Sequence, residues 1–222
     1  MSTHSGYKAP GDCPAIIPVF PLPGALLLPR GQMPLNIFEP CYLAMVDDAL
    51  KSERIIGVIQ PDAEGGGSPM APKLYRVGCA GRICQFAETG DGRYLISLTG
   101  ISRFRVESEL AVTTGYRRCQ VSYDDFSSDF AARAGEAAVD REGVLRALRD
   151  FVEVNDLKVD WAGIEEAPNE ALVNALCMMS PFGVREKQAM LEAADLKTRA
   201  EVLVAVTEME LVRSDGSEPT LQ

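Results

Sequence analysis

The sequence predicts an α+β fold: a small closed or nearly closed β-barrel with one early helix, followed by an α-helical bundle. Three observations predict it. Up to about residue 126, short apolar runs with period-2 alternation lie between closely spaced Gly and Pro turn signals, which is the pattern of short strands. After about residue 127 the apolar residues recur at helical spacing. The charge steps at the same place: residues 1–126 carry 12 Lys/Arg against 13 Asp/Glu, and residues 127–222 carry 10 against 19. The expected organisation is a disordered N-terminus over 1–13, a barrel over 14–126, a helical bundle over 127–213 and a disordered tail over 214–222.

The elements follow in chain order. Residues 14–38 read as strand–turn–strand. Prolines at 18, 21, 23, 29 and 34 exclude a regular helix, Pro23-Gly24 marks a turn, and the short run Leu26-Leu27-Leu28 reads as buried strand. Tyr42, Met45, Val46 and Ala49 then fall on one face of a helix over 39–51. Residues 54–60 (Ile55-Ile56-Gly57-Val58-Ile59) read as a buried strand, and the Gly65-Gly66-Gly67-Ser68-Pro69 run places a flexible loop over 61–72. From Tyr75 to Phe86 residues alternate, and Gly78 and Gly81 suggest a bulge or a close approach of backbones. Gly90-Asp91-Gly92 makes a hairpin turn. Strands follow over 93–99, 102–106 and 116–123. Helices are expected over 139–154, 169–179, 184–193 and 196–212, with Pro168, Pro181 and Gly183 as punctuation.

Composition excludes several classes. A net charge of −10 and a pI near 4.7 argue against nucleic acid, which needs a basic stripe. No apolar run approaches a membrane span, and Met1–Gly11 is too polar for a signal peptide. The six cysteines form no C-x-x-C pair and read as reduced thiols in a cytoplasmic protein. With His4 as the single histidine, neither a zinc site nor a Ser–His set is expected, and no cofactor is implied.

Several side chains carry chemistry in principle. Arg103 and Arg105 flank Phe104 and read as a solvated strand face. Asp47-Asp48 and Glu165-Glu166 read as solvated or capping charges, because adjacent residues do not share a helix face. Met178-Met179 beside Pro181-Phe182 reads as core. Cys41 as a nucleophile would need a basic neighbour, and nothing in sequence supplies one. No G-x-x-x-x-G-K-[ST] phosphate loop and no G-x-S-x-G elbow occurs.

Three stretches, in order, resemble the Lon N-terminal (substrate-binding) domain family: Ile17–Pro29 with Met33–Tyr42, then Val77–Ile83, then Asp91–Phe104. The likeness covers roughly residues 14–212. It implies a PUA-like pseudo-barrel with a companion helical bundle. It also implies binding of polypeptide segments or a partner protein, in protein quality control; with the phosphate loop and the Ser–His set missing from the residues, a non-enzymatic, stand-alone module is expected. The ATPase and Ser–Lys peptidase of the full protease are not expected here. The family commonly has Arg where this chain has Cys41, and a thiol cannot replace five guanidinium donors. The candidate polypeptide-binding surface is Leu22, Leu26, Leu28, Ile37, Phe38, Tyr42, Met178 and Phe182. The alternative functional reading is a PUA-like regulatory module for a small molecule or nucleic acid; a hydrolase on Cys41 or a Ser–Lys pair is the third.

Overall fold

A computed structural model describes residues 6–62, 65–68 and 71–215. Its strands are β1 (Ile16–Pro21), β2 (Gln32–Ile37), β3 (Ile55–Pro61), β4 (Gly67–Ser68), β5 (Ala71–Pro72), β6 (Leu74–Glu88), β7 (Tyr94–Glu109) and β8 (Arg117–Ser122). Its helices are α1 (Pro40–Leu50), α2 (Arg141–Val154), α3 (Trp161–Glu166), α4 (Asn169–Met179), α5 (Val184–Glu192) and α6 (Leu196–Asp215). The main sheet runs β2-β7-β6-β3-β1-β8, and a further β7–β8 pairing closes it into a pseudo-barrel. Among the described residues, only β1 and β3 are parallel neighbours. Strand β7 makes the closure possible because it is long: residues 94–99 pair with β2, and residues 105–109 pair with β8. β2 is thus a wing outside the ring. The small β4–β5 hairpin occupies the expected loop at 61–72, of which residues 63–64 and 69–70 lie outside the described residues.

One bulge governs which face each β7 residue takes. The pairing slips between Ala80 opposite Ser102 and Gly81 opposite Gly100, leaving Ile101 as the extra residue. Before it, Ile96 and Leu98 face the helices; after it, Phe104 turns into the barrel and Arg103 takes the helix side. The two strands expected over 93–99 and 102–106 are therefore one strand with a corner in it. Inside the barrel Phe104 packs with Ile17, Val19, Ile59 and Val121. Outside it, β-strand residues such as Ile56, Val77 and Leu98 share one hydrophobic cluster with α1 and with Val173, Cys177, Met190 and Leu203 of the helices. The boundary expected at 126/127 falls inside the 3-10 turn Asp124–Phe130.

The Leu26–Leu28 run departs from expectation. All three are buried, yet residues 22–31 form no strand. Leu28 accepts from Gly31 N at 2.9 Å, so its carbonyl turns back on its own loop, while Arg30 and Gly31 exchange backbone bonds with Gly100. The loop lies flat on the sheet instead of beside it. Gly100 permits this: a Cβ there would stand 2.1 Å from the Leu28 carbonyl oxygen. Residues 7–13, expected to be disordered, are likewise held. Pro10–Asp12 form a 3-10 turn, and the Arg82 guanidinium donates to the Tyr7 hydroxyl at 2.7 Å. His4 and residues 216–222 lie outside the described residues.

Several polar contacts join barrel to helices. Arg103, expected on a solvated face, is 1% exposed. Its Nε and Nη2 donate to the two oxygens of Asp129 at 2.9 and 2.8 Å, and Nη1 donates to the Leu191 and Ala193 carbonyls at the end of α5. Its guanidinium also lies 4.5 Å over the Phe126 ring. Gln60 of β3, equally buried, accepts from Gly24 N and donates to Val184 O and Gln188 Oε1 of α5. Asp47 and Asp48, expected as solvated or capping charges, tether α1 by accepting from the Tyr94 and Tyr116 hydroxyls at 3.0 and 2.8 Å.

Candidate functional site

An apolar groove runs between the Pro29–Gln32 loop and helix α4, with a volume of about 380 Å³. Its helical wall comes from Ala171, Ala175, Met178 and Met179. The two alanines, four apart, lie one above the other and leave room between helix and loop. The facing loop is fixed at three points. Asn174 Nδ2 donates to Pro29 O at 3.2 Å. Arg30, with a left-handed backbone (φ 65), donates through Nε and Nη2 to Glu170 Oε1 and through Nη1 to Asp129 O. Gly31 meets the Met178 sulfur, which would stand 2.4 Å from a Cβ at that position. A non-glycine residue at positive φ carries strain, and here several hydrogen bonds hold it there.

The methionines correct the sequence reading. Met178 is half-buried against Gly31, and Met179, expected in the core, is 83% exposed at the groove's end. Two adjacent thioethers, one half-buried and one exposed, give an adaptable, polarisable apolar lip. The other sequence candidates do not assemble around it. Leu26, Leu28, Ile37 and Phe182 are core residues at 7% exposure or less and cannot meet a ligand. Tyr42 is half-buried against the Phe20 ring, with centroids 4.4 Å apart, and Leu22 is half-buried beside the core. Phe38 is exposed, but it does not line the groove. Of the eight, only Met178 does. Sequence reasoning missed Pro29, Ala171 and Ala175; the i, i+4 alanines on a helix otherwise lined by Leu and Val were the one available signal.

Nothing in the thiols points to a nucleophile. Burial pushes Cys13 and Cys177 up to about 12 and Cys119 to about 11, and raises Cys79 further. Cys41 is half-buried with Gly115 close against its Cβ. Among the described residues no helix is long and apolar enough to cross a membrane.

The family described as "ATP-dependent protease La (LON) substrate-binding domain" has a model that matches residues 16–207. The chain belongs to that family. Among curated members of the Lon family, Lon protease 2 of Sorangium cellulosum is 29% identical over 202 residues, which is 88% of this chain and 25% of that protein. Lon protease 2 of Myxococcus xanthus is 25% identical over 195 residues, covering 87% of this chain and 23% of that one. The chain thus spans about a quarter of the length of the Lon proteases it matches. Two solved Lon domains share the fold. The Lon N-terminal domain protein from Xanthomonas campestris superposes with a TM-score of 0.60 at 23% identity, over 86% of this chain and 97% of that one. The N-terminal domain of Mycobacterium avium complex Lon protease gives 0.64 at 17% identity, over 87% and 98%. The mixed sheet-and-helix architecture is therefore that of the Lon substrate-binding domain.

Proposed function

We propose that this chain is a non-enzymatic cytoplasmic module that docks apolar polypeptide segments in the groove between the Pro29–Gln32 loop and α4. The observation that carries the reading is the Met178–Met179 lip over an alanine-floored groove of about 380 Å³. A groove of that size takes two or three side chains of an extended segment, and methionines adapt to many of them, as a binder of unfolded sequence requires. The family description, a substrate-binding domain of a protease, agrees with that use. The six free thiols suit a reducing compartment.

Affinity in this reading comes from apolar burial, at about 25 cal/mol per Å² before association costs. Binding of reduced casein, followed by fluorescence anisotropy, should change little between low and high salt. Met179→Glu, on a side chain already in solvent, should weaken binding about tenfold, since a charge must then be desolvated, and should leave thermal stability unchanged. Unaltered casein affinity in both Met179→Glu and Ala175→Glu would remove the groove from consideration. Binding only to a polyanion, abolished by salt, would replace the reading with a nucleic-acid one.

A further inference from the structure

A second cavity adjoins the groove across Arg30 and Glu170, which line both. It measures about 120 Å³, and its chemistry differs from the groove's because Arg103, Arg199, Asp129 and Asp195 also line it. Two of its guanidiniums are paired, Arg103 with Asp129 and Arg30 with Glu170. Arg199 of α6 is different. It is 4% exposed, its Nε donates to Met190 O and its Nη1 to Asn174 Oδ1, both at 3.0 Å, and its Nη2 has no partner among the described residues. None of those partners is anionic. The neighbouring carboxylates are committed: Asp129 accepts three bonds from Arg103, Glu170 accepts from Arg30 and from Arg133 N, and Asp195 sits exposed at the rim, accepting from Thr198 N.

A buried charge with a free donor and no carboxylate bonded to it is costly to hold, even with Asp129 nearby. Water in the cavity would satisfy the N–H groups and leave the charge. An oxyanion would satisfy both through a charge-assisted bond. The first turn of the 20-residue helix α6 is already capped by Asp195, so the positive charge in this space is that of Arg199 itself. We propose that this cavity binds one small oxyanion, a carboxylate or phosphate group, against the Arg199 guanidinium. A space of about 120 Å³ admits one such group and excludes a nucleotide. The group has two possible sources: a free inorganic or organic anion, or the terminal carboxylate of a polypeptide lying in the adjoining groove. Only the second source rests on the polypeptide-docking reading.

The test uses the full chain, with inorganic phosphate and acetate as probes against chloride at matched ionic strength. Both probes should raise the melting temperature with the logarithm of their concentration, as ligands of the native state do, at roughly millimolar affinity. The Arg199 side-chain Nε resonance should shift in the same titration. Arg199→Gln should abolish both responses. Because that variant could fail to fold, Ala134→Phe serves beside it: it fills the cavity from a half-buried rim position, leaves Arg199 in place, and should lose the response while staying folded. No anion-specific shift in the wild type, or an equal shift in Ala134→Phe, overturns the proposal. Peptides with a free or an amidated C-terminus separate the sources. A tenfold or greater loss on amidation, absent in Ala134→Phe, identifies the polypeptide carboxylate. Equal binding of the two peptides, with the phosphate response intact, identifies a free anion and leaves the site standing. Loss of casein binding in the groove variants with the phosphate response intact would concern the groove alone.

Discussion

Asp129→Ala should be among the most damaging single changes available outside the apolar core. Asp129 is 7% exposed and accepts from Arg103 through both oxygens, with a further bond from the Arg103 amide at 3.0 Å. Removing it leaves a guanidinium with 1% exposure and no counter-ion, beside a second buried guanidinium whose charged state Asp129 favours and Arg103 opposes. Breaking a buried pair from one side costs about 3–5 kcal/mol. For a chain of this size each kcal/mol moves the melting temperature by roughly 2–4 °C, so a fall of about 10 °C is expected. Removing the cation as well should recover part of the loss, because the orphaned charge goes with it. The assay is equilibrium denaturation of the wild type, Asp129→Ala, Arg103→Met and the double variant, read by circular dichroism and by Trp161, the single tryptophan. The double variant should cost less than the sum of the singles by about 1–3 kcal/mol. A cost under about 1 kcal/mol for Asp129→Ala, or strict additivity in the cycle, would refute the claim that this pair holds β7 to the helices.

Three further outcomes are expected. Gly100→Ala should destabilise by about 3 kcal/mol, since its Cβ would meet the Leu28 backbone; Gly90→Ala, with nothing within 4 Å, should stay within about 0.5 kcal/mol in the same denaturation series. Tyr94→Phe and Tyr116→Phe should each cost about 1 kcal/mol by releasing Asp47 or Asp48 of α1, measured by thermal unfolding. Stability should fall above pH 9: Cys177 is raised from 9.0 to about 12 and Cys119 to about 11, so the unfolded thiols ionise first, and the stabilisation present below pH 9 is lost as the pH climbs toward the folded values. Denaturation under reductant at about pH 8 and about pH 10.5 checks this, and Cys177→Ala, though weaker at the lower pH, should show a shallower decline.

Much of the fold could be read from periodicity and punctuation. Helix α4 begins and ends where Pro168 and the residues before Pro181 place it, and the Gly90–Gly92 hairpin joins β6 to β7. What could not be read has common causes. The bulge at Ile101 reverses the faces along β7, so Arg103, read with Arg105 as a solvated strand face, turns to the helices instead. Helix α3 is six residues long and too short to show a period; the Asp160 side chain that accepts from Gly163 N was its local signal. The groove escaped notice because its walls are small or unassuming residues brought together from positions 29–32 and 168–179, and the apolar residues that stood out in sequence were spent on the core.

The loop at 22–31 has a consequence for how the protein is made. Its lid is α4, and Asn174 closes on Pro29 across 145 residues of chain. During synthesis at roughly 5–20 residues per second, the Pro29–Gln32 end of the loop therefore waits on the order of 10 s for α4 to be translated. Through that interval Leu27 can already lie on Gly81 and Gly100 of the sheet, while the loop wall of the groove stays open on the side that α4 later faces.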